Sequence, residues 1–162
     1  MEVRVSSALP HPDVRVPPPL IYVIGFGIGW LVDRRWPLGI FGPEHGRMRI
    51  AIAMVFIACW FVLMMTAFTT FRRARTAIIP LFPASSVVTT GPYRVTRNPM
   101  YVSFIALYIG AALLVNSWWP LVLLPAVVLT IDRAVIAREE RYLRSAFPVE
   151  YAAYCDRVRR WL

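Results

Sequence analysis

The sequence predicts an all-α fold, a polytopic helical membrane protein with about four transmembrane helices, and three observations carry that reading. Hydrophobic residues make up 58% of the 162 positions, and the mean hydropathy is +0.56. The apolar residues lie in blocks long enough to cross a hydrocarbon core of about 30 Å rather than in amphipathic stripes. The formal charge of +9 gathers at the ends of those blocks and comes from arginine alone, since the chain has no lysine. Arginine beside apolar spans marks the cytoplasmic side and its anionic lipids, whereas a nucleic-acid surface would show basic residues and aromatics interleaved on a soluble face. Nucleic acid is therefore a poor partner, and the length suits a single membrane domain over 1–162.

The N-terminal stretch contains Pro10, Pro12, Pro17, Pro18 and Pro19 and has no apolar core before Val16, so it does not read as a cleavable signal peptide. The first span is expected over 16–32, stopping at Asp33-Arg34-Arg35. Its Gly25-Phe26-Gly27-Ile28-Gly29 run follows no strand and so is no phosphate loop. Gly25 and Gly29, four apart, instead allow a close helix contact. Residues 33–49 carry mixed charge with Pro37, Gly39, Gly42, Pro43 and Gly46, which predicts an irregular loop.

The second span is expected over 50–68, ending at Arg72-Arg73. From Met100 to Ile131 the chain is apolar almost without pause, too long for one crossing at 1.5 Å per residue. Asn116-Ser117 before Trp118-Trp119-Pro120 supplies a break, giving a tight helical hairpin with arms over 100–115 and 118–137. Its tryptophans belong at the far interface.

Arginine bias orients the chain. The loop between the second and third spans holds Arg72, Arg73, Arg75, Arg94 and Arg97 without an acid, and the tail holds Arg133, Arg138, Arg141, Arg144, Arg157, Arg159 and Arg160. Both are placed in the cytoplasm, although Arg34, Arg35, Arg47 and Arg49 populate the opposite loop. An inner (plasma) membrane location is expected, with both arginine-rich segments facing the cytoplasm. From Arg138 to Leu162 charges alternate with Tyr142, Phe147, Tyr151, Tyr154 and Trp161, which predicts a helix leaving the membrane and then an amphipathic cytoplasmic C-terminal helix, jointed at Phe147-Pro148.

Two segments carry chemistry. Gly91 to Tyr101 combines two prolines, a glycine and Arg94 and Arg97 just before an apolar helix, a rigid rim suited to an anionic or carboxylate-bearing molecule. Glu139-Glu140 follow the last span, and the hairpin returns them to the same membrane face as that rim. Asp132 lies one helical repeat before Glu139, so the two are expected to share a face. Glu139 and Glu140 can also serve as ion-paired helix ends, and Asp132 as a partner of Arg133 or a loop arginine. No metal site is read, since His11 and His45 stand alone. Cys59 and Cys155 lie far apart and do not suggest a disulfide.

The run Thr89-Thr90-Gly91-Pro92-Tyr93-Arg94, then Arg97-Asn98-Pro99-Met100-Tyr101, then Glu139-Glu140 with Leu143, Phe147, Tyr151, Tyr154 and Arg157-Val158, resembles the isoprenylcysteine carboxyl methyltransferase family and its phospholipid methyltransferase relatives. The match covers about 71–162, which the resemblance makes the cofactor-binding part. It implies an integral membrane methyltransferase that takes S-adenosylmethionine from the cytosol and a lipophilic or lipid-linked acceptor from the bilayer. Carried over, Tyr93, Arg94, Arg97, Asn98, Pro99, Tyr101, Glu139 and Glu140 line the cofactor pocket. Glu140 and Arg157 are the catalytic candidates, Arg157 facing the acceptor. Two positions depart from the enzymes of prenylated proteins: Asn98 stands where His is usual and Ser103 where Gly is usual. Asparagine keeps a short hydrogen-bonding side chain but does not titrate near neutral pH.

Two other classes are tested against this one. Membrane reductases of the sterol-reductase-like group, which use NADPH, resemble the same hairpin and tail. A non-catalytic lipid-binding protein would use its arginines for topology alone.

Overall fold

The computed structural model describes residues 17–74 and 86–162. Pro10, Pro12, Val16 and Arg75, with the readings placed on them, lie outside these residues. The described chain is helical, with no strand among the described residues.

Helix α1 (Pro18–Arg35) opens on two prolines, whose fixed φ suits a first helical turn, and ends in Asp33, Arg34 and Arg35. Its inward face is Tyr22, Gly25 and Gly29. A β-carbon on Gly29 would stand 2.7 Å from the Pro120 backbone, and one on Gly25 would stand 2.2 Å from Val127 Cγ2. The two glycines therefore do set a close helix contact, against the fourth helix.

Helix α2 (Gly46–Arg73) starts four residues earlier than the apolar pattern suggests and runs 28 residues, about 42 Å. The extra turn has a use. Arg49 reaches from it to donate to the Leu113 and Leu114 carbonyls, the exposed C-terminal acceptors of the third helix.

Helix α3 (Pro99–Val115) and helix α4 (Trp118–Ile131) form the expected hairpin. Asn116 makes the turn in the left-handed region at φ 56, a conformation asparagine tolerates better than most residues. Its amide is also locked to the α1–α2 loop, donating to Phe41 O and accepting from Phe41 N, both at 3.0 Å. Ser117 caps α4 and donates to Asp33 Oδ1 at 2.7 Å, while Trp118 N donates to Leu38 O and Trp119 Nε1 to Trp36 O. This end of the bundle is tied shut by polar bonds between the loop and the hairpin turn.

Helix α4 passes through Pro125 without ending, then widens into a π turn over Asp132–Ile136 before helix α5 (Ala137–Ala146). Helix α6 (Pro148–Arg157) turns away at the Phe147-Pro148 joint, as the sequence suggests. In the bundle α3 packs mainly on α2 and α4 mainly on α1. The core holds Tyr22, Tyr101, Tyr108, Val127, Ile131 and Ile136. A second cluster, of Ala67, Val88, Tyr93, Tyr151 and Tyr154, seats the tail helices against the loop and the end of α2.

By length and composition two helices can cross a membrane, Pro43–Arg73 and the continuous Trp118–Ala146, while Pro99–Val115 is a shorter apolar helix. The expected first span corresponds to α1, with 18 residues and three charges at its end. Bulky apolar residues point outward from α1, α2 and α4, as in Val23, Leu31, Val55, Phe61 and Val122, which suits a surface facing lipid.

Candidate active site

At the end of the bundle opposite the tied turn, the 91–98 loop, the π turn, α5 and the C-terminal residues meet. The loop comes first in sequence. Gly91 adopts φ +60, which an L side chain rarely follows, and a β-carbon there would also press on Thr70 Oγ1 at 2.6 Å. One short 3-10 turn, Gly91–Arg94, then places Tyr93 inward, buried. Its carbonyl accepts from the Tyr154 hydroxyl at 2.8 Å, and its ring meets Phe71 edge-on. Burial pushes the Tyr93 hydroxyl well above its ordinary pKa, with Tyr154 and Glu139 adding to the shift, so it is neutral throughout the physiological range.

The next residues strap the tail. Arg97 N donates to Arg159 O at 2.9 Å, and both Thr96 Oγ1 and Asn98 Nδ2 donate to Arg160 O, at 3.0 and 2.9 Å. Pro99 is buried and starts α3. The strap holds Arg160 so that its guanidinium lies between two carboxylates. Nε and Nη2 bind Glu140 at 3.0 and 2.6 Å, and Nη1 binds Asp132 at 3.2 Å. These bonds, Glu140 first, raise the Arg160 pKa further above its already high value against the opposing effect of burial. Trp161 Nε1 also donates to Asp132, at 3.1 Å.

Glu140 is the centre of this arrangement, with 5% of its surface exposed. A buried carboxylate needs paired charge. Arg97 Nη1 lies 3.3 Å from its Oε1 on the inner side, and the more exposed Arg144 reaches only 4.0 Å. Arg97 also donates to Cys155 Sγ, while its buried Nε has no hydrogen-bond partner among the described residues. Glu139 faces elsewhere and accepts from the Tyr101 hydroxyl at 2.6 Å.

That division corrects the expectation that Asp132 and Glu139 share a face. Eight α-helical residues advance about 800°, leaving Asp132 and Glu140 about 80° apart, but one residue absorbed in the wider π turn brings them back to about 20°. Asp132 and Glu140 consequently share Arg160, and Glu139 turns toward α3.

Of the predicted site residues, Tyr93, Arg97, Asn98, Pro99, Tyr101, Glu139 and Glu140 are thus brought together. Arg94 is exposed on the loop. Arg157 is exposed as well, its Nε bonded to Ala153 O one turn back on α6, outside the cluster. Arg160, Thr96 and Trp161 are in the cluster and were not singled out by sequence. The available signal was weak: an arginine and a tryptophan adjacent at the end of an amphipathic segment.

The arrangement can present two carboxylates and an arginine with a spare buried N–H to a small molecule carrying both charges, next to an apolar bundle. A helical membrane-type protein with a charged cluster at one end is the class this defines. The model of the phospholipid methyltransferase family matches residues 48–150, which includes the loop, the hairpin and the Glu139-Glu140 pair, and the chain belongs to that family. Among curated proteins, the cobalt-zinc-cadmium resistance protein CzcN of Cupriavidus metallidurans is 36% identical over 74 residues, 46% of this chain and 34% of that protein. An uncharacterized protein of Haemophilus influenzae is 54% identical over 35 residues, 22% of this chain and 56% of that protein. The chain thus spans between a third and just over half the length of these relatives. No solved structure matches.

Proposed function

We propose that this chain is an integral membrane methyltransferase that moves a methyl group from S-adenosylmethionine to a lipophilic acceptor bearing a carboxylate, a thiol or a lipid amine. The observation that carries the reading is the convergence of Arg97, Tyr101, Glu139 and Glu140 at one end of the bundle. The donor set suits the cofactor. S-adenosylmethionine has an ammonium and ribose hydroxyls, for which Glu139 and Glu140 are acceptors, and a carboxylate, for which Arg97 Nε, without a partner among the described residues, is a donor. When bound, the cofactor supplies an activated methyl group for an in-line displacement.

The protein's part is alignment and exclusion of water. Arg97 and Glu140 are 12% and 7% exposed, so their charges act where solvent screens them little. Tyr101 fixes the Glu139 carboxylate through its short hydrogen bond. Tyr93, Tyr151 and Tyr154, all buried, share one hydrophobic cluster under the loop and tail. Holding the acceptor in line with the methyl group in such a water-poor place supplies much of the rate. In this reading α1 to α4 all cross the inner membrane, the clustered end faces the cytoplasm, and the hairpin turn faces away.

Family membership favours methyl transfer over the NADPH reductase and the non-catalytic lipid binder. Titrating the purified protein in nanodiscs with S-adenosylhomocysteine tests the proposal. Saturable binding that NADPH does not compete supports it, and no binding removes it.

A further inference from the structure

The end of the bundle away from the candidate active site, where the hairpin turn is tied to the α1–α2 loop, carries cations that the fold leaves unpaired. Arg34 and Arg35 close α1 and are exposed, and Arg47, in the first turn of α2, is exposed as well. None of the three has a hydrogen-bond or ion-pair partner among the described residues, while Arg34 lies over the Trp30 ring at 5.1 Å and Arg35 over the Trp36 ring at 5.7 Å. Their N–H donors are open. The neighbouring Arg49 is committed to the Leu113 and Leu114 carbonyls, and the acids here are engaged too, Asp33 by Ser117 and Leu38 and Glu44 by His45. The end of α1 is fastened to the hairpin turn through Asp33 and the start of α2 through Arg49, so the three cations lie at a single end.

Helix polarity accounts for part of this only. Cations in the last turn of α1 suit the negative end of its dipole, whereas Arg47 stands at the positive end of α2, in a first turn with no acid, and weakens its own helix there. Among the described residues no acid at this end is left to pair with it, so its counter-charge comes from outside the chain. The surroundings identify the kind of anion. Four of the six tryptophans, Trp30, Trp36, Trp118 and Trp119, stand at this end, and Trp36 is 62% exposed. Indoles collect at the level where hydrocarbon gives way to headgroups. Back along α1 from Arg34 and Arg35, the apolar Ile24, Ile28 and Leu31 are exposed. An anion that fits both the arginines and this apolar surface is one attached to acyl chains.

We infer that this end is a docking surface for anionic glycerophospholipids, with their phosphodiester headgroups on Arg34, Arg35 and Arg47 and their acyl chains against Ile28 and Leu31. Planar guanidinium groups match phosphate oxygens in shape and charge. Net charge then decides among lipids. Phosphatidylcholine offers the same phosphate with a quaternary ammonium beside it, which a positive surface repels, whereas phosphatidylglycerol brings the phosphate alone. These lipids are not the methyl acceptor, since they lie in the leaflet at the opposite end from Glu139 and Glu140. The inference rests on the membrane placement of the chain and not on methyl transfer. It also gives a binding role to arginines that run against the topological bias of the other two arginine-rich segments.

The test uses the full chain in nanodiscs with Trp60→Phe and Trp161→Phe, which leaves emission from the four tryptophans of this end and removes the one beside the arginines of the tail. Quenching by brominated-chain phosphatidylglycerol is compared with quenching by brominated-chain phosphatidylcholine. An arginine at headgroup level contributes about fivefold. Phosphatidylglycerol is therefore expected to quench at a share of the lipid about tenfold lower, and high salt should shrink that preference. Arg34→Gln together with Arg35→Gln should remove most of it. Arg47→Gln, which relieves the start of α2 and so keeps the fold, should lower it by about fivefold. Equal quenching by the two lipids, or a preference that survives both sets of substitutions, overturns the inference. So does quenching that falls as more copies are loaded per disc, the sign of a second copy of the chain on this face. S-adenosylhomocysteine is titrated separately into the otherwise native chain. A failure to bind it removes the methyltransferase reading and leaves this surface standing, whereas binding without lipid preference removes the surface alone.

Discussion

The Asn98 side chain donates to the backbone carbonyl of Arg160 at 2.9 Å, tying the start of α3 to a residue 62 positions later. The role is mechanical: an amide N–H holds the tail in place, and the position needs a donor rather than a titrating group. Asn98→Ala should free the carbonyl on one side, leave Thr96 as its remaining side-chain donor, and cost about 1–3 kcal/mol for the broken buried bond. Asn98→Asp should be worse, because an acceptor would face an acceptor. Thermal unfolding in detergent and proteolysis of the tail read both effects, and equal behaviour of Asp and Asn would count against the strap.

Arginine 157 and arginine 160 are three residues apart and behave differently. Arg157→Ala should change S-adenosylhomocysteine affinity by less than about threefold, because the side chain is exposed and bonded within its own helix. Arg160→Ala leaves Glu140 and Asp132 without their shared partner, and binding should fall by about tenfold or more. Calorimetric titration of the two variants decides it, and the reverse order would count against placing Arg160 at the cofactor site.

Glu139 and Tyr101 should behave as a coupled pair. Tyr101→Phe and Glu139→Gln are each expected to weaken cofactor binding, and the double variant should recover about 1 kcal/mol relative to the sum. Strict additivity in that double-mutant cycle would mean that the 2.6 Å bond between them contributes nothing to the site.

The glycines of α1 give a stability test with its own control. Gly29→Ala places a methyl 2.7 Å from the Pro120 backbone and should cost about 1–3 kcal/mol as α1 and α4 move apart. Gly27→Ala meets nothing within 4 Å and should be neutral or stabilising by up to about 1 kcal/mol through helix propensity. Melting temperatures that fall equally for both would refute the close contact.

At the far turn, Asp33→Ala removes the acceptor of both Ser117 Oγ and Leu38 N. A loss of about 1–2 kcal/mol in unfolding is expected with S-adenosylhomocysteine affinity unchanged, since the turn lies at the opposite end of the bundle. A parallel loss of affinity would show that the two ends are coupled.

Much of this was legible in the residues. Apolar blocks fixed by length, the Asn116-Ser117 break, the four-residue glycine spacing and the Phe147-Pro148 joint are local signals, and the helices follow them. The early start of α2 was not, because Arg47 and Arg49 read as loop charge until Arg49 is seen capping the carbonyls of α3. In the site, hairpin logic alone could bring Arg97 and Glu140 to the same end of the bundle, where they meet. Arg160 could not, since its position depends on three bonds from a loop more than sixty residues away. The π turn has no residue signature either. Ala134, Val135 and Ile136 suit an α-helix equally well, and the wider turn is recognised only from its hydrogen bonds.

Inserting a single residue's worth of rotation at Asp132–Ile136 makes helical phase, rather than residue identity, the variable that separates the work of Glu139 from that of Glu140. Two chemically near-identical neighbours serve different clients, one a tyrosine within the bundle and the other a strapped arginine. Removing one residue from that turn would leave every side chain of the cluster in the sequence and rotate the pair by about 100°. In such a protein a shortened relative with an intact Glu-Glu motif need not have an intact site.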